Sequence, residues 1–222
     1  MQTIRNRFTV ALGTAFIIQF FASIISDFVL FDPLVDRGDI VKTMTTISQH
    51  YMQAQLSVFL SFISILVVIW LGVLLFSLLR KVNHVWATMG LAMYIAEGFL
   101  IIISKCFQLA LIKLSISNLI NADSALLGKI LLETKDFAYN MAIIPFPTGA
   151  FLFYFLLYKS KSLPSWIPIW GFLSVLLVFI FPLMYYGVPI PFFVALPYLP
   201  FELFIGIYIL IKGLSSKSII WQ

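Results

Sequence analysis

Charge is what this chain has least of. Only 10% of its 222 residues are Asp, Glu, Lys or Arg, against 62% apolar residues. That leaves too little polar surface to coat a soluble globule of this length, and the mean hydropathy of +1.05 agrees. Cysteine is nearly missing too. Cys106 stands alone inside an apolar stretch, which excludes an internal disulfide framework and a cysteine metal cluster. The two histidines, His50 and His84, are separated by a segment long enough to cross a bilayer, so they cannot share one metal or one catalytic relay. No nucleotide-binding glycine loop, His-Glu-x-x-His or nucleophile elbow occurs. These absences argue against an enzyme and give no reason to expect a cofactor or a metal.

What the chain has in quantity is long apolar runs. A helix crossing a hydrocarbon core of roughly 30 Å needs about 20 residues. Six stretches qualify: approximately Phe8–Phe31, Leu56–Leu79, Trp86–Ile112, Phe137–Tyr158, Ile167–Tyr186 and Phe192–Ile211. The first follows Arg5 and Arg7 but is about twice the length of a signal-peptide core and lacks a small-x-small cleavage site, so it reads as a retained span. The expected fold is all-α: one domain over residues 1–222, a bundle of six transmembrane helices with the lipid bilayer as its surroundings.

The remaining charges orient that bundle. One side collects Arg5, Arg7, Arg80, Lys81, Lys159, Lys161, Lys212 and Lys217 without a single carboxylate. The other carries Arg37, Lys42, Lys113, Lys129 and Lys135 with Asp32, Asp36, Asp39, Asp123, Glu133 and Asp136. Excess Lys and Arg in short loops marks the cytoplasmic side, which places both termini inside. The net charge of +5 therefore orients the chain and implies no nucleic-acid partner. Trp86, Tyr158, Trp166 and Trp170 fall at the expected inner boundary and Tyr51, Tyr185 and Tyr186 near the outer one. On the outer side, Asn121–Thr134 has helical apolar spacing behind the capping candidates Asn121 and Asp123, and Asp32–His50 reads as a loop leading into a short helix.

Three acidic residues lie inside expected spans. A rise of about 1.5 Å per residue puts Glu97 roughly 16 Å and Glu202 roughly 14 Å from the inner boundary, both near the midplane. A carboxylate facing lipid there costs on the order of 3 kcal/mol or more, so each has to face the interior, find a partner or take a proton. At least one is expected to carry its proton at neutral pH. The helical wheel aligns Gly90, Ser104 and Gln108 with Glu97, and Ala195, Tyr198 and Gly206 with Glu202. The third and last spans are accordingly expected to touch. Asp27 and Lys105 both calculate to roughly 28 Å from the inner boundary and are expected to form an ion pair. Serines, Gln19, Asn140 and the prolines Pro145, Pro147, Pro182, Pro197 and Pro200 also gather toward the outer half.

At Leu78–Gly98 (LLRKVNHVWATMGLAMYIAEG), Tyr158–Gly171 (YKSKSLPSWIPIWG) and Leu196–Gly213 (LPYLPFELFIGIYILIKG), the chain resembles the bacterial membrane family catalogued as domain of unknown function 4386. The resemblance implies a six-helix bacterial inner-membrane protein without an established biochemical activity, and Glu97 and Glu202 are the positions at depth that look shared with it.

These residues support one leading expectation: an outward-facing polar cavity that binds or transports a small cation or amphiphile, with Glu97, Glu202, Tyr198, Ser104 and Gln108 as ligand-binding residues. The alternative is a structural or regulatory membrane protein that contacts partners through its helices or acidic outer loops. An intramembrane enzyme is disfavoured, because no nucleophile or substrate-recognition group accompanies the two glutamates.

Overall fold

The computed structural model describes residues 3–4, 6–117, 121–180 and 197–215. Regular structure begins with a two-residue strand, β1 (Thr3–Ile4), and a helix, α1 (Arg7–Ile24). Asn6 caps this helix by accepting the Thr9 amide at 2.9 Å, while Thr9 Oγ1 accepts the Asn6 amide in return. The chain continues through a π-helical segment, Ile25–Phe31, and a short 3-10 turn, Asp32–Leu34. Pro33 has no amide to donate, which ends regular helix there. Gln53 Nε2 donates to the Leu30 carbonyl at 2.8 Å, so one carbonyl of the irregular segment is satisfied by a side chain.

Next come α2 (Ile40–Gln49), α3 (Tyr51–Leu79), α4 (His84–Ser115), α5 (Ala122–Met141), α6 (Pro145–Ser160), α7 (Trp166–Val178), α8 (Tyr198–Lys212) and a second short strand, β2 (Leu214–Ser215). Their ends follow from local chemistry. Asp39 caps α2 through the Lys42 amide, Asn83 Oδ1 accepts the Trp86 amide at the start of α4, and Asn121 caps α5 through the Ser124 amide. Pro145 and Pro147 sit in the first turn of α6, where a proline is tolerated. Gly213 ends α8 at φ 72°, a backbone conformation that favours glycine.

By length and composition, four helical stretches can cross a membrane: Arg7–Leu34, Tyr51–Leu79, His84–Ser115 and Ala122–Ser160. They cover the first four expected spans, and together they make this an all-α membrane protein. The fifth and sixth expected spans correspond to α7, of 13 residues, and α8, of 15, each shorter than a full crossing among the described residues. The connection between those two spans lies outside the described residues, as do Pro182, Tyr185, Tyr186, Ala195, Arg5 and Lys217.

The chain forms two compact units, and α1, α3 and α4 each contribute residues to both. Unit 1 comprises residues 1–20, 67–98 and 142–222. Its helices meet at glycine notches. A Cβ on Gly13 would lie 2.9 Å from the Gly206 carbonyl oxygen, which shows how closely α1 and α8 approach. Tyr94 is seated between Gly72 and Gly149, Phe153 lies on Gly90, and Phe201 lies on Gly171. At one end of this unit β1 pairs antiparallel with β2, Thr3 opposite Ser215. The Ser215 amide donates to the Ser162 carbonyl at 2.9 Å, and the Lys159 ammonium lies 5.8 Å from the Trp86 ring. The starts of α1 and α4, the α6–α7 turn and the end of α8 therefore share one end of unit 1. This strand pair is an addition to the all-helical expectation, and two-residue strands leave no periodicity to read.

Unit 2 comprises residues 21–66 and 99–141. Its apolar core joins Phe31, Leu34, Met44, Ile47, Ala54, Val58, Leu111, Ile112 and Leu132. Helices α2 and α5 pack where Gly128 admits the Met44 side chain. Arg37 bridges to Asp136 at 2.6 Å, tying the segment before α2 to α5. On the exterior of the chain, Phe59, Leu66, Phe99 and Ile211 are all exposed, as expected of side chains that face lipid.

Candidate functional site

Glu97 lies on α4 three residues after Tyr94, and Glu202 lies on α8 four residues after Tyr198. Helical spacing therefore puts each acid on the same face as a tyrosine. Glu97 is 7% exposed and Glu202 8%, so both point into protein and neither faces lipid. Tyr94, Tyr154 and Tyr198 are buried with them. The Tyr154 and Tyr198 hydroxyls approach to 3.5 Å. The two carboxyls and the three phenols are close enough to act on one another electrostatically.

The surrounding rings form an edge-to-face lattice. Centroids are 5.2 Å apart for Tyr94 and Phe153, 5.0 Å for Tyr154 and Phe201, and 5.2 Å for Phe146 and Tyr198. Offset and edge-to-face pairs are the arrangements that aromatic quadrupoles favour, so the ring planes are fixed by packing. The glycine notches at Gly72, Gly149 and Gly171 let these rings penetrate between helices.

Charge compensation is what this cluster lacks. Among the described residues neither Glu97 nor Glu202 has a cationic partner, and the charged group acting on Glu97 is Glu202. Glu97 Oε2 is buried with no hydrogen-bond partner. A native interior satisfies nearly all its buried polar atoms, so one left open on an ionisable group calls for an explanation.

The other residues singled out from the sequence are fully engaged in unit 2. Lys105 Nζ donates to Asp27 Oδ1 at 2.5 Å and to Gln108 Oε1 at 3.1 Å. Gln108 Nε2 donates to Ser57 Oγ at 2.8 Å, and Ser57 Oγ donates to the Ala54 carbonyl. Ser104 Oγ donates to the Lys135 carbonyl at 2.9 Å. Lys135, also buried, pairs with Asp136 at 3.1 Å and lies 4.9 Å from the Phe31 ring. Glu97, Glu202 and Tyr198 are thus buried in unit 1, while Ser104 and Gln108 find their partners in unit 2. Tyr94 and Tyr154 are additions to the set read from the sequence.

Among the described residues, no group of three or more His, Cys, Asp or Glu side chains is arranged to hold a metal ion. The family described as a domain of unknown function (DUF4386) matches residues 11–213, nearly the whole chain. No curated protein and no solved structure matches it.

Proposed function

The chain belongs to that family, and from this premise we propose that it is a multi-pass protein of the bacterial inner membrane that binds a small cation at Glu97 and Glu202, without catalysing a reaction. One observation carries this reading: two buried carboxyls in unit 1, one with an orphaned oxygen, and among the described residues no cation paired with either. Like charges in one poorly solvated site cannot both stay ionised without compensation. The unliganded site therefore holds at least one proton, and an arriving cation takes its place. Transport is the extension of this reading in which the bound cation is exchanged between the two sides of the membrane.

The proposed topology has six spans with both termini in the cytoplasm. An even number of crossings is supported by the pairing of β1 with β2, because the chain returns at residues 214–215 to the side where it started. The carboxylate-free cations Arg80, Lys81, Lys159 and Lys161 flank turns at that same end, and such an excess marks the cytoplasmic face.

Cation titration of the purified full-length protein in detergent, with proton release as the readout, tests the site. Wild type should release protons when cation is added, and Glu97→Gln and Glu202→Gln should each abolish the release. Stably folded variants that bind and release as wild type does would remove the basis of the proposal.

A further inference from the structure

Resting on that reading, the geometry points to the class of ligand: a small organic ammonium ion, held by the two carboxyls and by the aromatic rings packed around them, in preference to an inorganic cation. The donor set is the first reason. Calcium takes six to eight oxygen ligands at about 2.3–2.6 Å, drawn from carboxylates, carbonyls and water. The buried hydroxyls grouped with Glu97 and Glu202 are phenols: Tyr94 is one helical turn from Glu97, Tyr198 is one turn from Glu202, and Tyr154 faces Tyr198. Two of these hydroxyls, on Tyr154 and Tyr198, are directed at one another.

The rings are the second reason. An ammonium ion is attracted to an aromatic face as well as to a carboxylate, and the attraction is strongest where water is excluded. Tyr94 and Tyr198 are buried one helical turn from Glu97 and Glu202, Tyr154 meets Tyr198, and Phe146 and Phe201 brace Tyr198 and Tyr154. Their orientations are set before any ligand arrives, so little ordering cost falls on binding. Tyr94 is held by glycine on two helices, Gly72 on α3 and Gly149 on α6, and a Cβ at Gly149 would come within 2.8 Å of its ring.

An independent observation marks this acidic pair as a site: Glu97 Oε2 is a buried acceptor with no donor. An ammonium N–H, or the polarised methyl of a quaternary ammonium, is a partner such an oxygen can take without a full coordination shell.

Equilibrium dialysis of the full-length protein against tetramethylammonium, sodium and calcium, each tested alone, separates the possibilities. Tetramethylammonium should bind at least about tenfold more tightly than either inorganic ion, and Glu97→Gln should abolish its binding. Tyr198→Phe keeps the ring and should bind within about threefold of wild type. Tyr198→Leu and Tyr154→Leu remove a ring and should each weaken binding about tenfold. Glu97-dependent binding of sodium or calcium without tetramethylammonium would overturn the ligand class and leave the cation site standing. Tetramethylammonium binding that both leucine variants leave unchanged would overturn the aromatic contribution. Binding of none of the three would overturn the inference and the cation site together.

Discussion

Helix α4 carries ionisable groups into two differently built surroundings. In unit 2 Lys105 has Asp27 and Gln108 as hydrogen-bond partners, and Gln108 passes the network on to Ser57. In unit 1 Glu97 has a second carboxyl as its charged neighbour and one oxygen without a partner. Both groups are buried and both sit where desolvation is expensive. The difference teaches that depth alone does not mark function. A buried charge whose partners are all supplied by the chain holds helices together, and in the proposed reading a buried charge whose partner is missing is available to a ligand.

The sharpest way to break this contrast is to remove the cation from the neutralised network. Lys105→Ala leaves Asp27 and Gln108 without their partner and should destabilise the protein by about 3–5 kcal/mol, read as a lowered unfolding midpoint in detergent. Glu97→Gln is the matched change in the uncompensated cluster. It removes no ion pair, so its unfolding midpoint should stay at or above that of wild type while cation binding is lost. Equal destabilisation by the two variants would erase the distinction.

Overpacking the acidic cluster comes next in size. Gly149→Val would drive a branched side chain into the Tyr94 ring and should cost about 1–3 kcal/mol by the same measurement, together with a loss of cation binding. Gly38→Ala, in an exposed turn where a Cβ meets only the Asp36 carboxylate at 3.4 Å, is its control and should leave binding unchanged.

The smallest expected effect concerns the exposed segment leading into α2. Lys42, 2.9 Å from Asp36, holds that carboxyl below the usual carboxylate range with help from the Gly38 amide, and Asp36 in turn pushes the Lys42 ammonium up. The carboxylate's contribution is complete above its ordinary value and fades as pH falls through its lowered folded value. The ammonium's contribution is complete below its ordinary value and fades as pH rises through its raised one. Amide exchange in residues 36–43 should therefore be slowest relative to its intrinsic rate at intermediate pH, and Asp36→Asn should flatten that dependence on both sides.

The membrane class and the first four spans were legible because a long apolar run has one dominant meaning. Counting residues along two helices set Asp27 and Lys105 at matching heights, and their side chains are in contact. Tyr94 was within reach of the same reasoning, since it precedes Glu97 by three residues and shares its face, yet a buried tyrosine carries no charge to draw notice. Tyr154 stands on α6, and only the packing of that helix brings its hydroxyl to Tyr198. Ser104 and Gln108 share the Glu97 stripe on a helical wheel, but the wheel has no axial dimension. Seven residues along a helix is about 10 Å, enough for the same stripe to meet different neighbours. The β1–β2 pair joins the two ends of the described chain and has no local signal at all.

Infrared difference spectroscopy of the full-length protein, before and after addition of tetramethylammonium at neutral pH, tests the central claim most directly. Wild type should lose a protonated-carboxyl absorption on binding, and that loss should be absent in the Glu97→Gln, Glu202→Gln double variant. A spectrum in which saturating cation leaves every carboxyl band of wild type unchanged would contradict the account.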